Sequence, residues 1–303
     1  MARSLLIFLI ILSCGKSKQI DPDPFVVGDI NVFEDRLLGS FLENGFVVSK
    51  EDNQSVDQGD SLVFTGMALS SLSCEKIEPI LHGLEQMQDH FGGYLVRFDP
   101  LPREYIESRN YISRDGATGL LYGLVRVLKR CPNQAARISS IKKKWQEAVG
   151  NSFLLHPNST AVITPSFRTF WKVGHGIGIS DLEYEEYILS TLFTAQLIQS
   201  NKSSCYPIHL ETIQNLTFEE MGKPIFKRNK DQFCKITNNM GLMLTDWYCG
   251  RNIKELKSWL QDPNKSPNFY MHQRCSWEQV DGLNKLSPRV DFIVLFRHIL
   301  EGS

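Results

Sequence analysis

Two aspartates, Asp60 and Asp115, each stand before an apolar helical pattern, and they are the best candidates for acid–base chemistry. They are 55 residues apart, and a Thr-Gly pair follows each of them within a few residues. Paired carboxylates can serve as general acid and general base when they lie roughly 5 to 10 Å apart. Both residues are also good helix N-caps, because an aspartate side chain accepts a hydrogen bond from the first turn. The sequence leaves both interpretations open.

The segment from Gly92 to Gly119 is a long, aromatic and arginine-rich connection between two apolar helical patterns. Long connections in compact domains are usually functional or disordered, and this one is too aromatic for disorder. Its arginines could bind a uronate, sulfate or phosphate group through bidentate hydrogen bonds. The candidate binding residues in this segment are Arg97, Tyr105, Tyr111 and Arg114.

A third acid–base candidate is His175, which lies between two glycines and one helical turn after Trp171. A histidine can titrate near neutral pH, but one without a visible partner is often structural. The sequence holds no G-x-S-x-G, phosphate loop, C-x-x-C or H-x-x-x-H pattern, and its glycine runs lack the context of a dinucleotide site. We therefore expect neither a cofactor nor a metal.

The chain begins with Arg3 and an apolar run from Leu5 to Leu12. This run is too short to span a bilayer, which takes about 20 residues, and it is typical of an export signal. The following Ser13-Cys14 closely resembles the end of a bacterial lipobox, which implies cleavage before Cys14 and a lipid on its sulfur. We expect a signal peptide over 1–13, a tether over 14–28 and a single helical domain over 29–303. Gly15 after the cysteine favours the outer membrane.

Six further cysteines remain, an even number that suggests disulfides in an oxidising envelope compartment. Six cysteines allow 15 pairings. Cys74 and Cys131 each close an apolar helical pattern, so we favour this pair, and the sequence assigns no other.

Apolar residues recur mainly at helical spacing, which predicts a mainly α fold. We expect helices around 77–87 and 117–128, a helix over 182–198 after a Ser180-Asp181 cap, and one over 233–247. Thr164-Pro165 and Ser287-Pro288 also resemble helix starts. Strand patterns at 94–98 and 161–163 predict minor β-hairpin pieces.

The Thr-Gly recurrence predicts helical hairpins packed side by side, with close approach at the small residues. It resembles the inner helices of an α/α-toroid, the fold of many six-hairpin sugar-active enzymes. A chain of this length implies an incomplete toroid of four or five hairpins, and an irregular helical bundle is the alternative. The resemblance implies that Asp60 and Asp115 form the catalytic pair and that Trp171 and the tyrosines hold sugar rings.

With 33 basic and 34 acidic residues, the chain lacks the basic excess of a nucleic-acid-binding protein. Two functions stay open. One is a lipid-anchored envelope protein that binds a glycan or a protein partner. The other is a toroid-like glycoside hydrolase or polysaccharide lyase that uses Asp60 and Asp115. The oligomeric state is not determined by the sequence.

Overall fold

The computed structural model describes residues 28–51, 54–56, 61–97, 112–159, 161–261, 275, 285–286 and 290–301. The predicted mainly α fold is confirmed, because helices dominate these residues and the strands are short. The helices are α1 (Gly28–Phe41), α2 (Ser61–Ser71), α3 (Glu78–His90), α4 (Arg114–Arg130), α5 (Ala135–Val149), α6 (Pro165–Gly174), α7 (Asp181–Asn201), α8 (Tyr206–Glu220), α9 (Lys227–Ile236), α10 (Met243–Tyr248), α11 (Ile253–Gln261) and α12 (Val290–Leu300). The strands are β1 (Leu42–Glu43), β2 (Phe46–Val47), β3 (Ser49–Glu51), β4 (Gln54–Val56) and β5 (Lys285–Leu286).

The strands form one two-stranded and one three-stranded antiparallel sheet, the latter in the order β4-β3-β5. Their predicted positions were wrong: residues 94–97 are not in a strand, and the second pattern reduces to one bridge between Val162 and Leu154. The β1–β2 hairpin instead turns at Asn44-Gly45, where both residues have positive φ. Asn-Gly is a strong hairpin signal because both residues tolerate this conformation.

Five helices contact one another in a closed order: α2 with α4, α4 with α8, α8 with α10, α10 with α12, and α12 with α2. Other helices pair outside this order, including α3 with α5, α6 with α7 and α7 with α9.

The closest contact joins α2 to α4 at the predicted small residues. All residues of α2 are buried. A Cβ built on Gly66 would lie 2.1 Å from the Gly119 carbonyl oxygen, and one on Gly123 would lie 2.2 Å from the Gly66 carbonyl oxygen. Only glycine allows the two backbones to approach this closely, so the predicted role of the Thr-Gly pairs is confirmed.

Three disulfides join the six cysteines, and the favoured pair Cys74–Cys131 is confirmed. This bond lies just beyond the ends of α2 and α4, where it ties the two helices together. The other bonds are Cys205–Cys275 and Cys234–Cys249.

The predicted helix over 182–198 is confirmed as part of α7, where Ser180 and Glu183 form a capping box. Thr164 caps α6 as expected, whereas Ser287-Pro288 lies outside the described residues. The single helix over 233–247 was wrong, because α9 ends at Ile236 and α10 begins at Met243. Gly241, with φ of +68°, lies in the intervening turn.

Candidate functional site

A polar cavity of about 400 Å³ lies among α4, α6, α7 and α8. Its wall carries two carboxyl groups, one guanidinium, one carboxamide and a set of serine and threonine hydroxyls. The lining residues are Arg114, Asp115, Thr118, Thr164, Ser166, Phe167, Tyr187, Ser190, Thr191, Thr194, Tyr206, Pro207, Leu210, Glu211 and Gln214.

Helix α4 contributes the predicted Asp115 and Arg114 to this cavity. The helix is capped by Ser113, whose hydroxyl accepts a 3.1 Å hydrogen bond from the backbone N–H of Gly116. Asp115 is therefore not the N-cap, and the capping interpretation of this residue was wrong. It lies in the first turn, where the helix dipole favours a negative charge. Arg114 is exposed at the edge of the cavity.

Helix α7 presents a polar face to the cavity because Tyr187, Ser190, Thr191 and Thr194 recur every three or four residues. The Tyr187 hydroxyl donates a 2.9 Å hydrogen bond to the Asn215 side-chain oxygen, so its phenol is held in the wall. The three other side chains supply hydroxyl groups, each of which can both donate and accept.

Helix α8 supplies Glu211, Gln214 and Tyr206. The Gln214 side-chain nitrogen donates to the Thr118 hydroxyl over 3.3 Å, which links α8 to α4 across the cavity wall. This hydrogen bond orients the carboxamide and fixes one polar edge of the cavity.

Glu211 is a strongly perturbed ionisable group in the cavity wall. It accepts a hydrogen bond from the Thr194 side chain, and burial raises its pKa well above the ordinary value of 4.5. Its Oε2 atom is shielded from solvent and has no hydrogen-bond partner among the described residues. Burial therefore favours the protonated form of Glu211, which shares the cavity with Asp115 at the start of α4.

The remaining predicted site residues that the structure describes, Arg97, Trp171 and His175, do not line the cavity. Arg97 follows α3 and does not line the cavity. Asp60, Tyr105, Tyr111 and Cys14 lie outside the described residues.

His175 and Trp171 form part of an aromatic cluster with Trp145 and do not line the cavity. Trp171 is only 2% exposed, so its ring is covered by protein rather than open to a sugar. The Nδ1 atom of His175 lies 3.0 Å from the Trp171 carbonyl oxygen. Burial, the largest cause, lowers the pKa of His175 to about 4, and its imidazole is neutral at pH 7.

Sequence reasoning missed Glu211, Gln214 and Tyr206. A signal was present, because Glu211 is an ionisable residue within a helix whose neighbours are largely apolar. Helical spacing also places Leu210, Glu211 and Gln214 on one face. The periodicity does not reveal which helix that face meets.

No group of three or more histidine, cysteine, aspartate or glutamate residues suited to a metal ion occurs in the described residues. In the same part of the chain, no helix is long and apolar enough to cross a membrane. Comparisons with protein-family models, curated proteins and solved structures find no match.

Proposed function

We propose that this chain is a lipid-anchored protein of the bacterial cell envelope, at the outer membrane, that binds a glycan in the polar cavity. The anchoring and location rest on the lipobox-like Ser13-Cys14-Gly15 at the end of the apolar run. Three disulfides suit an oxidising compartment outside the inner membrane.

The observation that supports glycan binding is the composition of the cavity wall. Sugars present many hydroxyl groups that both donate and accept, and the wall matches them with serine and threonine hydroxyls, carboxyl groups and a carboxamide. Its volume of about 400 Å³ is within the range of small-molecule sites. Arg114 at the edge adds a donor for a uronate or sulfate group.

Binding can be measured by calorimetry with the full chain and soluble xylo-oligosaccharides, chito-oligosaccharides and oligogalacturonates. For a bound sugar, Gln214→Ala should weaken affinity up to about tenfold, the worth of one hydrogen bond. Gln199→Ala, on α7 but outside the cavity lining, is the matched control. Equal affinities for wild type and both variants would exclude the cavity as the binding site.

The lipid anchor has its own test. Replacement of Cys14 by alanine should abolish incorporation of a palmitate analogue and prevent membrane attachment. Equal labelling of the wild-type chain and the Cys14→Ala variant would contradict the lipid anchor. It would not bear on glycan binding in the cavity.

Glycoside hydrolysis is a second candidate, favoured by the raised pKa of Glu211 and its place in the same cavity as Asp115. Glu211 would donate its proton to the glycosidic oxygen as the C–O bond breaks and its electron pair leaves with that oxygen. A water molecule would attack the anomeric carbon and give its proton to the Asp115 carboxylate. The proposed pair is Asp115 and Glu211; Asp60, the partner that the sequence suggested, lies outside the described residues.

Reducing-end release from the same oligosaccharides tests this reaction. Glu211→Gln should retain sugar binding and lose turnover, whereas Glu186→Gln, an exposed residue of α7, should retain both. If the wild-type chain binds the oligosaccharides without turnover, the hydrolase proposal is rejected and the proposal of a binding protein stands.

A further inference from the structure

Helix α7 carries several exposed apolar side chains outside the polar cavity. Among the described residues, most of the large apolar side chains that are exposed lie on α7 or at the start of α9. They are Leu182, Leu189, Phe193, Leu197 and Phe226. Phe193 is 68% exposed and Leu189 67% exposed. Large contiguous apolar patches usually mark interaction surfaces.

Three of them, Leu189, Phe193 and Phe226, border a groove between α7 and α9 with a volume of about 520 Å³, here named the α7–α9 groove. Phe226 fixes the start of α9 against α7, because its backbone N–H donates a 3.0 Å hydrogen bond to the Tyr184 hydroxyl. The Phe226 and Tyr184 rings also meet edge to face, with centroids 5.3 Å apart. The groove is therefore a fixed feature of the two helices.

Helix α7 is apolar around more of its circumference than one core contact explains. Ala195 and Ile198 are buried in the core, while Ile188, Leu189 and Phe193 line the groove. A surface helix normally has one apolar stripe, and a helix that is apolar on several faces is normally covered on all of them. The groove side of α7 is therefore an exposed apolar face of the kind that is normally packed against another surface.

Charges of opposite sign flank the groove. Glu185 lies on the α7 wall and Arg228 on the α9 wall, and both are exposed. Neither forms an ion pair with another residue in the part of the chain that the structure describes. Because Phe226 contacts Tyr184, both charges lie near the same end of the groove.

This arrangement complements itself. A two-fold axis parallel to the helices would place α7 of one copy over α9 of the second copy. Glu185 of each copy would then face Arg228 of the other, and Phe193 of each would meet the other's groove. The same two charges would be used twice, as expected for a symmetric interface.

We propose that a second copy of this chain covers the α7–α9 groove in a two-fold dimer, with α7 of each copy over α9 of the other. The surface lies on the opposite side of α7 from the polar cavity. Dimer formation therefore leaves the proposed glycan site open, and the two proposals fail independently.

Sedimentation equilibrium of the full chain in a density-matched detergent should give the mass of two chains. Glu185→Arg or Arg228→Glu alone should raise the dissociation constant at least about tenfold, because like charges would then face each other. An equimolar mixture of the two variants should recover the dimer, since the hybrid pairs opposite charges at both positions. Lys254→Glu, an exposed change on α11, should leave the dissociation constant unchanged.

A monomeric wild-type chain, or a mixture that fails to recover the dimer, overturns the proposal. The variant Phe193→Asp distinguishes a second copy of the chain from a lipid surface as the occupant of the groove. If the wild type is monomeric and this variant loses binding to phosphatidylglycerol vesicles, a lipid surface covers the groove instead. If the wild type is dimeric and Phe193→Asp dissociates it, the groove is the interface.

Discussion

Helix α4 presents glycines to α2 on one face and polar side chains to the cavity on another. On the α2 face, Gly66, Gly119 and Gly123 bring two backbones together with no space for a methyl group. On the cavity face, Asp115 and Thr118 line the same cavity as Glu211, whose pKa is raised by burial of its carboxyl group.

The difference between the two faces indicates what each contributes. The glycine contact maximises packing between backbones, so almost any change there should cost stability. The cavity contains groups that cost stability, because Glu211 is half-buried and its Oε2 atom is shielded from solvent with no partner among the described residues. Groups kept at such a cost are candidates for function rather than for folding.

The largest expected effect is on the disulfide at the end of the glycine contact. Cys74 and Cys131 are 57 residues apart, so replacing both by alanine should lower the free energy of unfolding by about 4 kcal/mol through loop entropy. As a control, replacing Cys234 and Cys249, which are 15 residues apart, should lower the free energy of unfolding by about 3 kcal/mol. Denaturant unfolding of both variants checks the order, and a smaller loss for the longer loop would contradict it.

The next effect concerns the glycine contact itself. Gly66→Ala would place a methyl group 2.1 Å from the Gly119 carbonyl oxygen, and we expect a loss of about 3 kcal/mol. Gly39→Ala is the control, because nothing lies within 4 Å of a Cβ built there on α1. That variant should gain about 0.5–1 kcal/mol from helix propensity. Equal melting temperatures for the two variants would show that α2 and α4 are not in close contact.

In the cavity, Glu211→Gln should raise the stability of the protein, whereas the two preceding changes lower it. Folding raises the pKa of Glu211, so the folded state binds its proton more tightly and wild-type stability falls as pH rises above 4.5. The glutamine variant has no such titration. It should therefore be more stable than wild type at pH 7, with the gain disappearing toward pH 4.

Thermal unfolding between pH 4 and pH 8 measures this difference. Glu186→Gln, which changes an exposed carboxylate on α7, should show no comparable gain at pH 7. A constant difference between wild type and Glu211→Gln across the range would mean that Glu211 does not titrate above its ordinary pKa.

The smallest expected effect on stability is that of Asp115→Asn. Ser113 is the cap, so the variant loses only the helix-dipole contribution of a charge, about 0.3–1 kcal/mol. Asp181→Asn, in the first turn of α7, should lose a similar amount and serves as the control. Oligosaccharide binding or turnover should fall for Asp115→Asn alone. Unchanged binding and turnover would show that the Asp115 charge is not used in the cavity.

The sequence predicted those features that depend on neighbouring residues. Helical spacing and caps located α3, α4, α6 and α7, because apolar period and N-cap chemistry act within a few turns. The small residues near Gly66 and Gly119 revealed the close approach of α2 and α4. The position of Cys74 and Cys131 after two helices favoured the correct pair. The prediction of a single helix over 233–247 failed because the helical spacing of apolar residues continues across the turn that separates α9 from α10.

Only the tertiary structure decided what the helix faces meet. Residues of the cavity wall come from four helices spread over about a hundred positions, from Arg114 to Gln214, and periodicity carries no information on such distant neighbours. For this reason Glu211 was missed and Trp171 was expected at a binding site instead of in the core. By itself the sequence determined the helical class and one disulfide. The carboxyl pair of the cavity and the uncovered side of α7 exist only because packing sets the partners of each helix face.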